Sequence, residues 1–273
     1  MLSSHITSEK CVWNLLFPSF EAAKNYAGRY NDDCETNFFS VGERNAKFFD
    51  KQTVYLSEAR KGILKRHSSL TTVLSNSRRE NIAIVEFGGG SGWLFAFLDR
   101  SSIKSLREYI IIETQEVIRY FHNEWEENSI VKFVDIDSLS RVFQDEVVLY
   151  SNSVLQYFED NSLLKKMISS IEPDLIILDD LLVGLTGEEY TMQNYYGFMI
   201  ANRFLDEEKM VSEIEAIGYS LQESGDYVSN ISTNMHQGIW IRDSEILKGP
   251  VHRSLIFSRA SGSITPRTKY LSH

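Results

Sequence analysis

The sequence predicts an α/β fold, doubly wound around a mostly parallel sheet of seven strands and preceded by an aromatic-rich helical extension. Short apolar runs that suit buried strands alternate with segments whose apolar residues recur at helical spacing. One such run, Ile82 to Val85, leads directly into a glycine-rich turn. Near the C terminus, the ranges 219–228 and 254–259 are predicted to close the sheet as two paired strands.

Residues 1–56 form the predicted N-terminal extension. Between positions 13 and 49 it carries nine aromatic residues, so it is too apolar for a disordered tail. We therefore expect this region to act as a lid over an acceptor pocket or as the contact of a homodimer. The predicted main domain, 57–260, opens with a helix that starts at Ser57 and ends near Leu74. A flexible tail, rich in Ser and Thr, is predicted over 261–273.

The first strand of the sheet ends at an acid and a glycine-rich turn, in the string EFGGGSG that begins at Glu86. Gly88, Gly90 and Gly92 lack a Cβ atom, so they tolerate positive φ and let a ligand approach the backbone. The helix that begins at Trp93 turns its N-terminal amides toward that ligand. This segment therefore predicts a nucleotide-type cofactor site.

The spacing of the glycines distinguishes between nucleotides. The dinucleotide fingerprint G-x-G-x-x-G would place its third glycine at position 93, where Trp93 stands. A phosphate-binding P-loop requires a lysine after its last glycine, and no lysine follows here. Both phosphate-binding modes are disfavoured, and the pattern that remains is acid-x-G-x-G-x-G.

Two further predicted strands, 109–112 and 130–134, also end at acids. Glu113 follows the first of them, where a carboxylate can accept the protons of both ribose hydroxyls. Asp135 and the apolar Ile136 follow the second, a pair that suits the amino group and the ring of adenine. Three acids thus stand at the ends of three successive strands.

The rest of the chain continues the alternation of strands and helices. The remaining predicted elements are a helix around 117–125, strand 147–150, a helix around 163–171, strand 175–178, an irregular stretch from Asp179 to Arg203, and a helix capped by Asp206 that ends at Gly218.

The acid-x-G-x-G-x-G pattern resembles motif I of the class I S-adenosylmethionine (SAM) methyltransferases, whose glycines make room for the methionine part of the cofactor. Over about residues 12–259, the chain also resembles a family of bacterial methyltransferases met in surface-polysaccharide gene sets. The segments that carry this resemblance are Trp13, PSFEAA (Pro18 to Ala23), Gly28-Arg29-Tyr30, EFGGGSG, YSNSVLQYFED (Tyr150 to Asp160) and DLIILD (Asp174 to Asp179).

The resemblance implies a SAM-dependent methyltransferase. The cofactor-binding residues that it implies, together with the strand-end acids, are Glu86, Gly88, Gly90, Gly92, Glu113, Thr114, Asp135, Ile136, Ser151 and Asn152. That family tends to carry an Arg-Thr-Pro type sequence after the acid of strand five, whereas this chain has Asp180-Leu181-Leu182. The family's acceptor is therefore not carried over.

Methyl transfer is an in-line displacement at a sulfonium carbon, so the acceptor must be aligned with the methyl group and water excluded. An acceptor hydroxyl also needs a base, and open α/β sheets bind ligands at the carboxyl ends of their strands. The candidate catalytic residues are Asp179, Asp180 and His236, and the candidate substrate-binding residues are Gln156, Tyr195, Tyr196 and Trp240. No helix carries His or Cys at metal-ligand spacing, so no metal is predicted.

The formal net charge of −10 argues against nucleic acid as a partner, because phosphate neutralisation needs clustered Lys and Arg. A small-molecule or glycan acceptor is predicted instead. No apolar run approaches membrane-spanning length, and the N terminus lacks the features of a signal peptide. Cys11 and Cys34 form no CxxC pair, which is typical of a reducing compartment. A cytoplasmic location is expected.

The function that the resemblance implies is O-methylation of a sugar or another small precursor of a bacterial surface polysaccharide. Two alternatives stay open. One is N-methylation of an amino sugar or small amine, and the other is a SAM-binding partner subunit with no activity of its own. Intact Glu86, Glu113 and loop glycines argue against a chain that has lost cofactor binding.

Overall fold

The structure of the protein is a computed structural model that describes residues 13–33, 65–76, 81–98, 106–125, 129–139, 146–184, 187–195, 198–227, 240–242, 245–247 and 250–260. No helix within these ranges is long and apolar enough to cross a membrane.

Strands and helices alternate along most of the described chain. The elements are β1 (Trp13–Phe17), α1 (Phe20–Asp33), α2 (Ser68–Asn76), β2 (Ile82–Phe87), α3 (Trp93–Phe97), β3 (Leu106–Ile112), α4 (Gln115–Trp125), β4 (Val131–Val134), β5 (Glu146–Asn152), α5 (Ser162–Ile171), β6 (Leu175–Val183), β7 (Glu189–Tyr195), β8 (Phe198–Phe204), α6 (Glu207–Glu215), β9 (Tyr219–Asp226), β10 (Trp240–Arg242), β11 (Glu245–Leu247) and β12 (Val251–Arg259). Short 3-10 helices follow β4 at Ile136–Ser138 and β5 at Leu155–Tyr157.

The main sheet has seven strands in the order β4-β3-β2-β5-β6-β12-β9. The strands β2 to β6 pair in parallel, and β12 lies antiparallel between β6 and β9. The predicted fold class is confirmed, including the final pair of strands. Because β2 lies in the middle of the sheet, the turn after it stands at the centre of the carboxyl-end edge.

Helices cover both faces of this sheet, because its central strands are apolar on both sides. One face packs against α2 and α3, and the other packs against α5 and α6. Every residue of β2 is buried. The helix α6 begins as predicted, because the side chain of Asp206 accepts a hydrogen bond from the backbone N–H of Lys209 at 3.0 Å.

A second, three-stranded antiparallel sheet has the order β1-β7-β8. The prediction of an irregular stretch from Asp179 to Arg203 is therefore wrong: β6 continues to Val183, and β7 and β8 follow as a hairpin. Apolar alternation, the usual mark of a half-buried strand, is weak here because Thr191 and Asn202 occupy fully buried positions.

The described part of the N-terminal extension, residues 13–33, packs on this second sheet. It contributes the strand β1 as well as the helix α1, whose Ala23 and Ala27 contact Met192 and Met199. The side chain of Asn31 also pairs with both backbone groups of Met199, at 2.8 and 2.9 Å. Whether the extension forms a lid or a dimer contact stays a prediction, as do the domain boundaries. The predicted helix start at Ser57 lies outside the described residues, and α2 begins at Ser68.

Candidate functional site

The turn after β2 is held in a conformation that favours glycine. Gly88, Gly90 and Gly92 have φ values of 73°, 59° and 80°. A Cβ atom on Gly88 would lie 2.4 Å from the Cγ2 atom of Val154, and one on Gly92 would lie 3.0 Å from the Cδ1 atom of Ile111. The loop is therefore packed against its neighbours, with no space for a side chain at Gly88 or Gly92.

The acid at the end of β3 contacts this loop directly. Glu113 Oε1 accepts a hydrogen bond from the backbone N–H of Gly90 at 2.9 Å, and its Oε2 accepts one from the N–H of Thr114 at 3.0 Å. Burial raises the pKa of Glu113, and the two backbone hydrogen bonds oppose this rise. The chain thus places a half-buried carboxylate against the backbone of the glycine loop.

The acid at the end of β2 points into the interior. Glu86 is 4% exposed, and its Oε2 accepts a hydrogen bond from the hydroxyl of Tyr109 at 2.7 Å. It also lies below the loop, since a Cβ atom on Gly89 would stand 2.6 Å from Glu86 Oε2. Burial raises the pKa of Glu86 to about 7, against the lowering effect of the Tyr109 hydrogen bond.

The raised pKa of Glu86 predicts a pH dependence of stability. The ordinary pKa of this carboxyl is 4.5. The favourable contribution of protonated Glu86 to the free energy of unfolding is therefore present in full below pH 4.5, and it is lost as pH rises through about 7. From about pH 5 to about pH 8, this group is expected to lower the free energy of unfolding by up to about 3 kcal/mol. The variant Glu86→Gln is expected to lack this decline.

Urea unfolding of both proteins at the two pH values measures the effect. Because all other groups titrate in both proteins, the difference between their pH dependences isolates position 86. Parallel pH dependences would contradict a titrating Glu86.

The acid after β4 is partly exposed and caps a short helix. Asp135 Oδ1 accepts the N–H of Asp137 at 2.7 Å, and its other oxygen accepts from the side-chain amide of Gln115. The hydrogen bond from Gln115 is the main cause that lowers the pKa of Asp135. Ile136 follows and is partly buried against the core. Both residues lie at the same sheet edge as Glu113, because β4 pairs in parallel with β3.

The chain is similar to several solved structures at low sequence identity. No family model and no curated protein sequence matches the chain. The glycopeptide N-methyltransferase MtfA, solved with S-adenosylhomocysteine (SAH), has a TM-score of 0.48 and 12% identity, over 72% of this chain and 90% of its own. The 1,6-didemethyltoxoflavin-N1-methyltransferase of Burkholderia thailandensis has a TM-score of 0.47 and 12% identity, over 87% of this chain and 90% of its own.

The pyocyanin biosynthetic protein PhzM has a TM-score of 0.45 and 12% identity, over 70% of this chain and 54% of its own. The chain therefore spans about half the length of PhzM. The strand order decides the fold: five parallel strands are completed by an antiparallel strand between β6 and β9. This is the class I methyltransferase fold. Many functions share one fold, so the activity depends on the site itself.

At the end of β5, Asn152 contacts Arg66, a residue that precedes β2 in the chain. Asn152 Oδ1 accepts a hydrogen bond from Arg66 Nε at 3.0 Å, and its amide nitrogen donates to the hydroxyl of Tyr227 at 3.1 Å. The Tyr227 hydroxyl in turn donates to the backbone carbonyl of Arg66. Ser151, expected beside Asn152 in the cofactor site, is buried, and its hydroxyl has no hydrogen-bond partner among the described residues.

Of the two acids expected to act in catalysis, Asp179 is wholly buried. It accepts hydrogen bonds from the hydroxyl of Ser254 at 2.5 Å and from that of Tyr150 at 3.3 Å. Burial raises the pKa of Asp179. The Tyr150 hydroxyl also lies 2.6 Å from Nδ1 of His67, whose pKa is lowered to about 3 by burial and by the neighbouring charge of Arg66. His67 is therefore neutral near pH 7.

Asp180 is 1% exposed and faces different partners. Its Oδ1 lies 2.6 Å from Nδ1 of His252, and its Oδ2 lies 3.6 Å from Nη2 of Arg66. A carboxylate can only accept, so His252 donates its Nδ1 proton to Asp180. Arg66 contacts both Asn152 and Asp180, and it thereby links the end of β5 to the middle of β6.

The remaining predicted site residues are separated by the structure. Gln156 is 1% exposed, in the 3-10 helix after β5, and its amide nitrogen donates to Ser153 Oγ at 3.0 Å. Tyr195 ends β7 and Trp240 begins β10, and only their backbone is described. His236 and Tyr196 lie outside the described residues. Within the described ranges, no three His, Cys, Asp or Glu side chains are placed to hold a metal ion.

Sequence reasoning missed several members of this site. Those that the structure adds are Arg66, His67, Tyr150, Tyr227, His252 and Ser254. They come from before β2, from β5 and from the final strands, and each is an ordinary residue type within its own segment. Their only common feature is spatial, so no motif could have identified them.

Proposed function

We propose that the protein is a SAM-dependent methyltransferase that methylates a hydroxyl group of a sugar or another small precursor of a bacterial surface polysaccharide. The observation that carries the cofactor assignment is the contact between the Glu113 carboxylate and the N–H of Gly90. In nucleotide-binding α/β folds, a strand-end carboxylate near the glycine-rich turn accepts hydrogen bonds from the ribose hydroxyls, and this contact supports the same role for Glu113.

The charge at this edge supports SAM over phosphate-bearing nucleotides. Glu113 and Asp135 follow two neighbouring parallel strands, and the glycine loop beside them carries no Lys or Arg. Carboxylates repel phosphate groups and favour cations and hydrogen-bond donors. SAM offers a sulfonium, an ammonium, two ribose hydroxyls and an adenine amino group, and no phosphate.

The residues present fit this cofactor. Gly88, Gly90 and Gly92 hold the loop at positive φ, and glycines of this kind let a ligand approach the backbone. Glu113 would hold the ribose, and Asp135 and Ile136 would meet the adenine. When bound, SAM supplies an electrophilic methyl group. The task of the chain is then to align the acceptor and to exclude water around it.

For the acceptor proton, we propose His252 as the base and Asp180 as the residue that orients it. Histidine is the side chain that most often serves as a general base. Asp180 Oδ1 lies 2.6 Å from Nδ1 of His252, and a carboxylate in this position fixes the orientation of the imidazole ring.

Two alternatives belong to the same site. An amine acceptor would make the protein an N-methyltransferase, and a neutral amine needs a base only after methyl transfer. A chain that binds SAM without turnover would be a partner subunit of another enzyme. The acid and loop residues agree equally with all three functions, so the product must decide between them.

The deciding experiment uses SAM with a deuterated methyl group. The protein is incubated with glucose, galactose, mannose and glucosamine, and products are located by mass spectrometry with fragmentation. Label on oxygen is the expected result. Label on the glucosamine nitrogen would show that the protein is an N-methyltransferase instead. SAM binding without label in any product would favour the partner subunit.

The base is tested by the same assay. His252→Gln is expected to lower turnover about a hundredfold, with SAH binding retained. Unchanged turnover in this variant would exclude His252 as the base.

A further inference from the structure

The arginine that precedes α2 is held in place at the carboxyl-end edge of the main sheet. Arg66 Nε donates to Asn152 Oδ1 at 3.0 Å, and the backbone carbonyl of Arg66 accepts from the hydroxyl of Tyr227. In addition, Arg66 Nη2 lies 3.6 Å from Asp180 Oδ2. Contacts from β5, from β6 and from the residue after β9 therefore fix both the backbone and the side chain of Arg66.

The guanidinium of Arg66 is anchored without being used up. Its bond to Asn152 is the one hydrogen bond that it makes to the described residues, because its distance to Asp180 is that of an ion pair and exceeds a hydrogen bond. The side chain is 36% exposed, so a ligand can reach it from solvent. The N–H groups on Nη1 and Nη2 are thus oriented and open to a partner from outside the chain.

Arg253 of β12 shows the contrast, because the chain itself satisfies this arginine. Its Nε donates to Glu207, its Nη1 to Asp226, and its Nη2 to Glu207 and Ser224. Every nitrogen of that guanidinium therefore has a partner within the fold. Arg66 has such a partner on Nε alone, which is the pattern of an arginine that is positioned to bind something else.

Backbone strain marks the same place. Of the three described non-glycine residues with positive φ, Ser153 at 59° and Asp180 at 54° lie here, and the third ends α5. The two lie close together, because Asn152 pairs with Asp179 in neighbouring strands. Residues other than glycine adopt this conformation at a cost, and they concentrate at functional sites. The contacts of Arg66 therefore fall on a strained part of the sheet edge.

The position of Arg66 separates it from the proposed nucleoside site. Glu113 follows β3, whereas Asn152, the partner of Arg66, ends β5, and β2 lies between these strands. Neighbouring strands are about 4.8 Å apart, so Arg66 contacts the edge on the order of 10 Å from the proposed ribose ligand. The acids at this edge repel anions, and Arg66 adds a cation that can bind one.

We propose that Arg66 binds an anionic group of the acceptor, a carboxylate or a phosphate, in the proposed methyltransferase. This inference rests on the proposed function, and it narrows the acceptor to an acidic or a phosphorylated sugar. A planar guanidinium pairs with two oxygens of either anion at once, and the bond to Asn152 fixes the plane in which it does so. An acceptor held at this point is oriented for transfer to one of its hydroxyl groups.

The test compares glucose, glucuronate and glucose 6-phosphate, which differ at carbon 6 alone. Their binding to the protein with SAH present is measured by saturation-transfer difference NMR. One of the two anionic sugars is expected to bind the wild type about tenfold more tightly than glucose, and its identity distinguishes a carboxylate from a phosphate. Arg66→Gln is expected to remove this preference and to leave glucose binding unchanged.

Two further variants control the comparison. Arg66→Lys keeps the charge and loses the paired donors, so its preference is expected to lie between those of the wild type and Arg66→Gln. It also carries the test if Arg66→Gln does not unfold cooperatively. Arg107→Gln is the matched control, because Arg107 Nε donates to Asn81 Oδ1 at the opposite end of the sheet. This variant is expected to keep the preference.

Equal weakening of all three sugars in Arg66→Gln would assign Arg66 a structural role and overturn the proposal. A wild type that binds neither anionic sugar more tightly than glucose would also overturn it. Calorimetric titration of SAH into the same proteins separates the cofactor, and Arg66→Gln is expected to bind SAH as the wild type does. Weaker SAH binding with the sugar preference retained would assign Arg66 to the carboxylate of the cofactor and overturn the proposal. Failure of the wild type to bind SAH would contradict the proposed function instead.

Discussion

Substitution of Gly88 by alanine is expected to lower the free energy of unfolding by about 2–5 kcal/mol and to abolish SAM binding. Two costs add at this position. A φ of 73° strains a residue with a Cβ atom by about 1–2 kcal/mol. The new Cβ atom would also stand 2.4 Å from Cγ2 of Val154, and overpacking of this kind costs about 1–3 kcal/mol.

A double variant separates the two costs. Val154→Ala removes the two methyl groups that would meet the new Cβ atom, so Gly88→Ala with Val154→Ala is expected to regain part of the stability that the single changes lose together. Gly225→Ala is the matched control, since nothing lies within 4 Å of a Cβ atom there. Urea unfolding measures all four proteins. Additive effects of the two changes would contradict the packing described for the loop.

Glu113→Ala is expected to weaken SAH binding by about ten- to a hundredfold. The carboxylate would hold two ribose hydroxyls, and hydrogen bonds to charged groups contribute about 1.5–3 kcal/mol each. The change also removes the acceptor of the Gly90 N–H, so the loop loses a contact that fixes its conformation. Calorimetric titration of SAH into both proteins measures the effect.

Two further variants control this experiment. Glu113→Gln keeps the shape and one acceptor oxygen, so its loss of affinity is expected to lie between those of the wild type and Glu113→Ala. Glu116→Ala removes the same charge from the first turn of α4 and is expected to bind SAH as the wild type does. Equal affinities for all four proteins would remove Glu113 from the cofactor site.

The glycine loop and the strand-end acids could be predicted because each lies in one continuous segment. The apolar run of β2 leads into Gly88 within a few residues, and parallel pairing then brings Glu113 to the same edge. The fold class followed from the same regularity, since buried parallel strands are apolar on both faces and stand out from the helices between them.

The second sheet could not be predicted from the same pattern. Its strands carry Thr191, Gln193 and Asn202 at buried positions, so the alternation of apolar and polar residues that marks a strand is lost. The hydrogen bonds that hold these polar side chains, such as that between Asn202 and Gln193, join residues far apart in the pattern, so the sequence alone does not reveal them.

The burial and the contacts of Asp179 and Asp180 also could not be predicted from the sequence. Both were expected as bases at an open strand end, but β6 continues past them and buries both side chains. Their contacts with Ser254 and His252 depend on the register of β12 on β6, which sequence spacing does not define. Their catalytic role stays a prediction.

The edge formed by β2, β3 and β4 is proposed to bind SAM. Calorimetric titration of SAM, SAH, ATP and NAD into the wild-type protein measures this binding. SAM and SAH are expected to bind at one site per chain with dissociation constants on the order of micromolar, about −8 kcal/mol, and ATP and NAD are not expected to compete. Absence of binding by SAM and SAH, or equal binding of ATP or NAD, would contradict it.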